Sequence, residues 1–213
     1  LEVPLAQAAI RWAADTSGGV ITRPARACTP GEQMRWEVPV ISWCATEVAS
    51  PGGGLALLLD GPQGVDATPD RLGVSLVRGA TWPDPGADRG WHRQRLALMP
   101  ASQGWCRGGI PLAAIAFREP GWWGPAGLAQ AQQWLPPLPD GLVPVAVELP
   151  RNADRSFNPS KGLRMRVLNP GGRRQQLCPP GWVISRLAEA VECQQAAAPK
   201  DQTDRGCASA AQG

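Results

Sequence analysis

The chain has no tyrosine, only two phenylalanines and three methionines, and a single histidine, His92, in 213 residues. One imidazole excludes two-histidine zinc sites, helical His-x-x-x-His pairs and facial triads built on two imidazoles. No apolar run reaches the roughly 18 residues that a membrane-crossing helix needs. Charge of one sign is scarce too: 21 basic against 18 acidic residues leave a net +3, scattered along the chain. That is too weak for a phosphate-binding footprint, so neither nucleic acid nor membrane is expected as a partner.

The six cysteines, Cys28, Cys44, Cys106, Cys178, Cys193 and Cys207, contain no Cys-x-x-Cys spacing. Zinc-ribbon and thioredoxin-type chemistry is therefore not indicated. Six in 213 is sparse for a stapled secreted scaffold, and the expectation is mostly reduced, buried thiols in a cytoplasmic protein. The opening residues carry Glu2 ahead of any apolar core and no basic leader. A start at Leu1 suggests a fragment, a processed product or a misassigned start.

What the chain has in abundance is glycine and proline, 25 and 23 residues. That density argues for short, turn-linked elements and against a helical bundle. Residues 34–43 alternate Met34, Trp36, Val38 and Val40 against Arg35, Glu37, Pro39 and Ile41, the period of a strand. Pro39 removes a ladder donor and places that strand at an edge or bulge. Residues 54–61 are nearly continuously apolar, the signature of a strand covered on both faces. Together with 67–79 they suggest an antiparallel pair, and further strands are expected at 94–99, 110–117, 142–149, 162–168 and 182–187. Helices are expected at 125–135, opened by Pro125, and at 186–197. The fold class is thus all-β, an antiparallel β-sandwich over 1–190 with one or two short helices. Residues 191–213 are read as a helix end and a disordered tail.

The segment 81–93 places two Pro, two Gly and two Trp around Asp84, Asp88 and His92. A loop so rich in special residues within a strand-based domain is more often functional or interface-forming than idle. With Arg78 at its base, this loop resembles part of a known family. The succession RWEVPVISW (35–43), GLALLLDGPQGVD (54–66) and LGVSLVRGATWPDPGADRGWHR (72–93) resembles the C-terminal region of glycoside hydrolase family 38, the α-mannosidases. VITRPAR (20–26) and GLRMRVLNPGG (162–172) are similar to further family segments, so the resemblance covers about residues 1–190.

The resemblance implies a C-terminal β-sandwich whose partner is a catalytic barrel, in cis or in trans, and whose eventual substrate is an α-mannoside. The family's catalytic carboxylates and its zinc, held by two His and two Asp, belong to the N-terminal barrel and its continuation, and this chain has no His-x-Asp. No catalytic residue, metal ligand or cofactor is therefore assigned to it, and zinc is expected in the catalytic domain. Arg78, Trp82, Asp84, Asp88, Trp91 and His92 stand as substrate-side or domain-interface candidates, and Trp122 and Trp123 as sugar-stacking candidates. Against these readings, an Asp in a Pro-Asp-Pro turn usually caps its own backbone. A chain without Tyr must also fill core volume with Trp. The alternatives to a mannosidase C-terminal domain are a self-standing carbohydrate-binding module and a degenerate structural domain. With one His and no paired Cys, the purified chain is expected to hold no stoichiometric zinc; one tightly held zinc per chain in metal analysis would contradict that.

Overall fold

The computed structural model describes residues 1–34, 37–49, 53–119, 136–148, 151–156, 158, 162–171, 173–177, 181–187, 191–195 and 208–210. Where the sequence reading carries one domain to residue 190, the chain divides into two compact units, Leu1–Trp122 and Trp123–Gly213. The boundary between Trp122 and Trp123 lies outside the described residues.

The first unit contains two antiparallel sheets. One has the order β3-β2-β5-β6-β9, built from β2 (Ala9–Thr16), β3 (Gly19–Pro24), β5 (Trp43–Val48), β6 (Leu55–Leu59) and β9 (Leu96–Pro100). The other has the order β1-β8-β7-β4, built from β1 (Glu2–Pro4), β4 (Val38–Val40), β7 (Gln63–Ala67) and β8 (Arg71–Ser75). Their inner faces share one core, in which Trp12, Cys44, Leu57 and Leu59 meet Val40, Val65 and Leu72. This is the sandwich that the strand density predicts. Pro39 sits on β4, an edge strand paired only with β7, where its missing N–H leaves no inner ladder broken.

The apolar run at 54–61 is buried from both sides. Leu57 and Leu59 enter the inter-sheet core, whereas Ala56 and Leu58 face a second core made with helical residues Ile110 and Ala114. Those two belong to α3 (Ile110–Arg118), a segment whose apolar run reads as a strand. The correction has a local cause. Pro111 lies in the first helical turn, where an N–H has no partner to lose, and Gly109 precedes it with φ 67°. Ile110, Ala114 and Phe117 then recur at helical spacing toward the sheet. Just before it, α2 (Gly104–Arg107) carries Trp105, stacked on Trp43 with ring centroids 5.1 Å apart.

Two further expectations are corrected in this unit. Residues 34–43 are not one strand. The chain leaves β4 at Ile41-Ser42, where the Ile41 N–H donates to the Asp15 carbonyl at 2.9 Å and the Ser42 hydroxyl donates to the Asp15 carboxylate. It then enters β5 in the other sheet; Trp36 lies outside the described residues. Nor do 54–61 and 67–79 pair. β6 bonds to β5 and β9, and β8 bonds to β7 and β1, because Asp60-Gly61-Pro62 carries the chain across between sheets. A short helix, α1 (Pro30–Gln33), is also present, announced by the box Thr29-x-x-Glu32 with Pro30 at its first position. Thr29 and Glu32 satisfy each other's backbone N–H groups there.

In the second unit β10 (Val143–Glu148), β11 (Arg164–Leu168), β14 (Val191–Gln195) and β13 (Trp182–Leu187) form an antiparallel sheet in that order. β12 (Gln175–Leu177) pairs with β15 (Ala208–Ala210). Leu142, Met165, Val167 and Leu177 form the core of this unit. Where it is described, the helix expected at 186–197 is strand: 186–187 end β13 and 191–195 form β14. Leu187 pairs with Val191, and Met165 of β11 pairs with Cys193 on the other side. Two flanking ladders override the weak helical preference of an Ala- and Glu-containing stretch. The tail reading is corrected at 208–210, which is strand; the helix expected at 125–135 lies outside the described residues. Among the described residues no helix is long and apolar enough to cross a membrane.

Among the described residues, Cys28 and Cys44 are free thiols. Burial pushes the Cys44 thiol up to about 12, and the nearby Asp66 charge adds in the same direction. Since the thiolate is the reactive form, mass-mapped labelling at mildly alkaline pH is expected to modify exposed Cys28 first. Cys44 should react only on addition of denaturant; prompt labelling of Cys44 in the native protein would contradict its burial.

Candidate functional site

β8 ends at Ser75, and from Leu76 to Arg95 the chain runs without strand or helix. Its shape is set by polar contacts, since most of its side chains are exposed. The Asp84 carboxylate accepts from the Gly86 N–H at 2.8 Å, and the Asp84 carbonyl accepts from the Ala87 N–H at 3.0 Å. Asp88, with φ 61°, accepts from the Gly79 N–H at 3.1 Å and so ties the far limb of the loop to its start. His92 Nε2 lies 2.8 Å from the Asp88 carbonyl, and the Gln94 amide donates to the Leu76 carbonyl at the base. Asp88 can hold its left-handed backbone because Asp tolerates that region better than bulkier residues do.

Arg78 anchors the base. Its guanidinium donates to the Glu37 carboxylate at 2.5 Å, from a residue 41 positions earlier beside edge strand β4. The Ser75 hydroxyl, and then Arg78, hold the Glu37 carboxyl below its ordinary value against the opposing effect of burial. Its second oxygen, Oε1, is buried without a hydrogen-bond partner. The carboxylate lies over Gly64, where an added Cβ would fall within it. Gly64 is thus the residue on β7 that makes room for the pair.

Six sequence-chosen residues therefore share one loop with distinct placements. Asp84, Asp88 and His92 hold backbone, and Arg78 holds the loop to the sheet. Trp82 and Trp91, 83% and 104% exposed, are presented outward. Other tryptophans do fill the core, as Trp12 and Trp43 show. Trp122 and Trp123 fall among residues the structure does not describe. Glu37, Ser75 and Gln94 complete the loop base, and none of the three is among the residues chosen from the sequence as site candidates. The sequence shows Glu37 only as a charge on the polar side of the 34–43 alternation, which names no partner. Among the described residues no group of three or more His, Cys, Asp or Glu side chains converges as a metal site.

Residues 1–86 match the family model described as "Glycosyl hydrolases family 38 C-terminal domain". The matched stretch takes in β1 to β8 and the loop as far as Gly86. The human protein "Alpha-mannosidase 2C1" is 33% identical over 102 residues, 48% of this chain. The aligned chain spans 10% of the length of that relative.

The lowered Glu37 carboxyl carries a pH signature. A carboxylate that titrates below its unfolded value of 4.5 stabilises the fold above that pH, and the contribution is lost as pH falls through the lower folded value. Glu37→Gln is therefore expected to reduce stability by about 1 kcal/mol at neutral pH, because Arg78 is largely exposed and the pair is partly screened. The deficit should shrink in denaturant titrations at about pH 3. An equal deficit at both pH values would show that shape, not charge, carries the contribution of Glu37.

Proposed function

We propose that this chain is the C-terminal β-sandwich portion of a family 38 α-mannosidase. It serves the hydrolysis of terminal α-mannosides only together with a zinc-dependent catalytic barrel, supplied in cis or in trans, and is inactive alone. The family match over 1–86 supports the first part of this reading. The observation that carries the second is the loop, closed on itself by Asp88–Gly79 and Gln94–Leu76 bonds yet exposing Trp82 and Trp91. Exposed Leu76 and Val77 extend the apolar surface toward the loop base. Large exposed aromatics on a backbone already held in shape lose little conformational freedom on association and are suited to bury area against a partner. The partner in this reading is the catalytic barrel, and a cytoplasmic location accords with the buried free thiol of Cys44.

A second reading rests on the same indoles. Outward Trp82 and Trp91 could stack on pyranose faces and make the unit a carbohydrate-binding module. The two readings part under mutation and titration. The double variant Asp84→Ala/Asp88→Ala is expected to lower the stability of the isolated chain by about 1–2 kcal/mol, the range for lost turn bonds. It should weaken association with a family 38 catalytic domain, or the reconstituted mannosidase activity, by at least about tenfold. Trp82→Ala/Trp91→Ala should do the same with almost no change in stability. Full activity with either double variant would overturn the interface role. Mannoside binding by the isolated chain, abolished in the Trp variant, would favour the module.

A further inference from the structure

Away from the loop, a cleft of about 400 Å³ opens between the β2–β3 hairpin, α1 and the turn that joins β7 to β8. Trp12, Arg23, Arg26, Glu32, Gln33 and Asp66 contribute to its walls. We infer that this cleft binds a small, neutral, polyhydroxylated molecule of about monosaccharide size. Its volume lies within the roughly 300–1,000 Å³ of small-molecule sites.

The chemistry of the walls selects the class. Two arginines, Arg23 and Arg26, and two acidic residues, Glu32 and Asp66, are among the lining residues, whose formal charges sum to zero. An apolar occupant would strip water from all four charges and return no hydrogen bonds. Vicinal hydroxyls, each both donor and acceptor, match a lining that carries both donor and acceptor side chains. Gln33 adds an amide with both functions, and the Thr68 hydroxyl, whose proton goes to Asp70 at 2.6 Å, keeps its acceptor lone pairs. Trp12, 3% exposed, is the aromatic residue of the lining.

The walls are also held before any ligand arrives. Glu32 accepts from the Cys28 and Thr29 N–H groups at 2.8 and 3.0 Å, which fixes the start of α1. Asp66 lies 3.1 Å from the Arg71 guanidinium, with 15% of its side chain exposed. The Ala25 N–H donates to the Ile10 carbonyl at 3.0 Å, and the Thr68 N–H to the Arg71 carbonyl at 3.0 Å, pinning the two flanking segments. A cleft whose side chains are positioned by protein contacts requires little ordering on binding. This inference does not depend on the mannosidase reading, since it uses no residue of the loop.

The test is an NMR titration of the intact chain with D-mannose, D-glucose, myo-inositol and, as an ionic control, inorganic phosphate. Saturable shifts at the backbone amides of Arg26, Gln33 and Thr68 and at the Trp12 indole N–H are expected with at least one neutral polyol. The dissociation constant should be on the order of 1 mM, as weak contacts per atom of a small ligand give. Arg26→Ala/Gln33→Ala, both on exposed or partly exposed positions, should weaken it by at least about tenfold while the rest of the spectrum stays native. Trp82→Ala/Trp91→Ala should leave it unchanged. No saturation by any polyol, tighter binding of phosphate than of the polyols, or loss of binding in the tryptophan variant would each overturn the inference. Failure here would leave the mannosidase reading standing, because that reading is tested by association with a catalytic domain.

Discussion

The burial of β5 and β6 on both faces is the constraint on which the first unit depends. Leu57 and Leu59 complete the core between the sheets, while Ala56 and Leu58 complete the core under α2 and α3. Each buried leucine contributes about 1.5–3 kcal/mol relative to exposure. The small residues Ala13, Ala45 and Ala56 line the helical side, which lets α3 lie close to the sheet. A strand pair shared by two cores couples both layers, so loss of one face would expose the other.

The loop between β8 and β9 inherits its position from this arrangement without contributing much to it. Its ends are fixed because β8 lies inside one sheet and β9 forms the edge of the other. The segment between them therefore has to cross from one layer to the other. Its interior is then shaped by hydrogen bonds from Asp84, Asp88, His92 and Gln94, none of which needs the core. Glu37 and Arg78 join the two levels, since the carboxylate belongs to the edge of the sheet and the guanidinium to the loop. A rigid scaffold that presents an independently shaped loop is the usual way in which binding residues are positioned without compromising a core.

The tryptophans show how one residue type serves opposite ends in this chain. With no tyrosine and two phenylalanines, indoles must fill aromatic volume, as Trp12 does in the inter-sheet core and Trp43 with Trp105 does beneath the helices. Trp82 and Trp91 have the same composition and none of the burial. Sequence context separates the two groups: the buried pair Trp12 and Trp43 lies on strands, the exposed pair in a Pro- and Gly-rich loop.

Local periodicity and turn chemistry were enough to read an all-β domain, the doubly buried run at 54–61, the edge position of Pro39 and the special loop at 81–93. Each of these depends on residues adjacent in the chain. Tertiary structure alone decided which strands pair, because period-2 patterns of Val and Leu do not distinguish one sheet from the other. The crossing at Asp60-Gly61-Pro62 and the break at Ile41-Ser42 are therefore silent in the pattern. It also decided that 110–117 is helix and 191–195 strand, where a sheet face to cover in one case and flanking ladders in the other outweighed apolar pattern and propensity. The role of Glu37 belongs to the same class. Its charge was visible in the sequence, but its partner lies 41 residues away and meets it only because β4, β7 and β8 form one sheet.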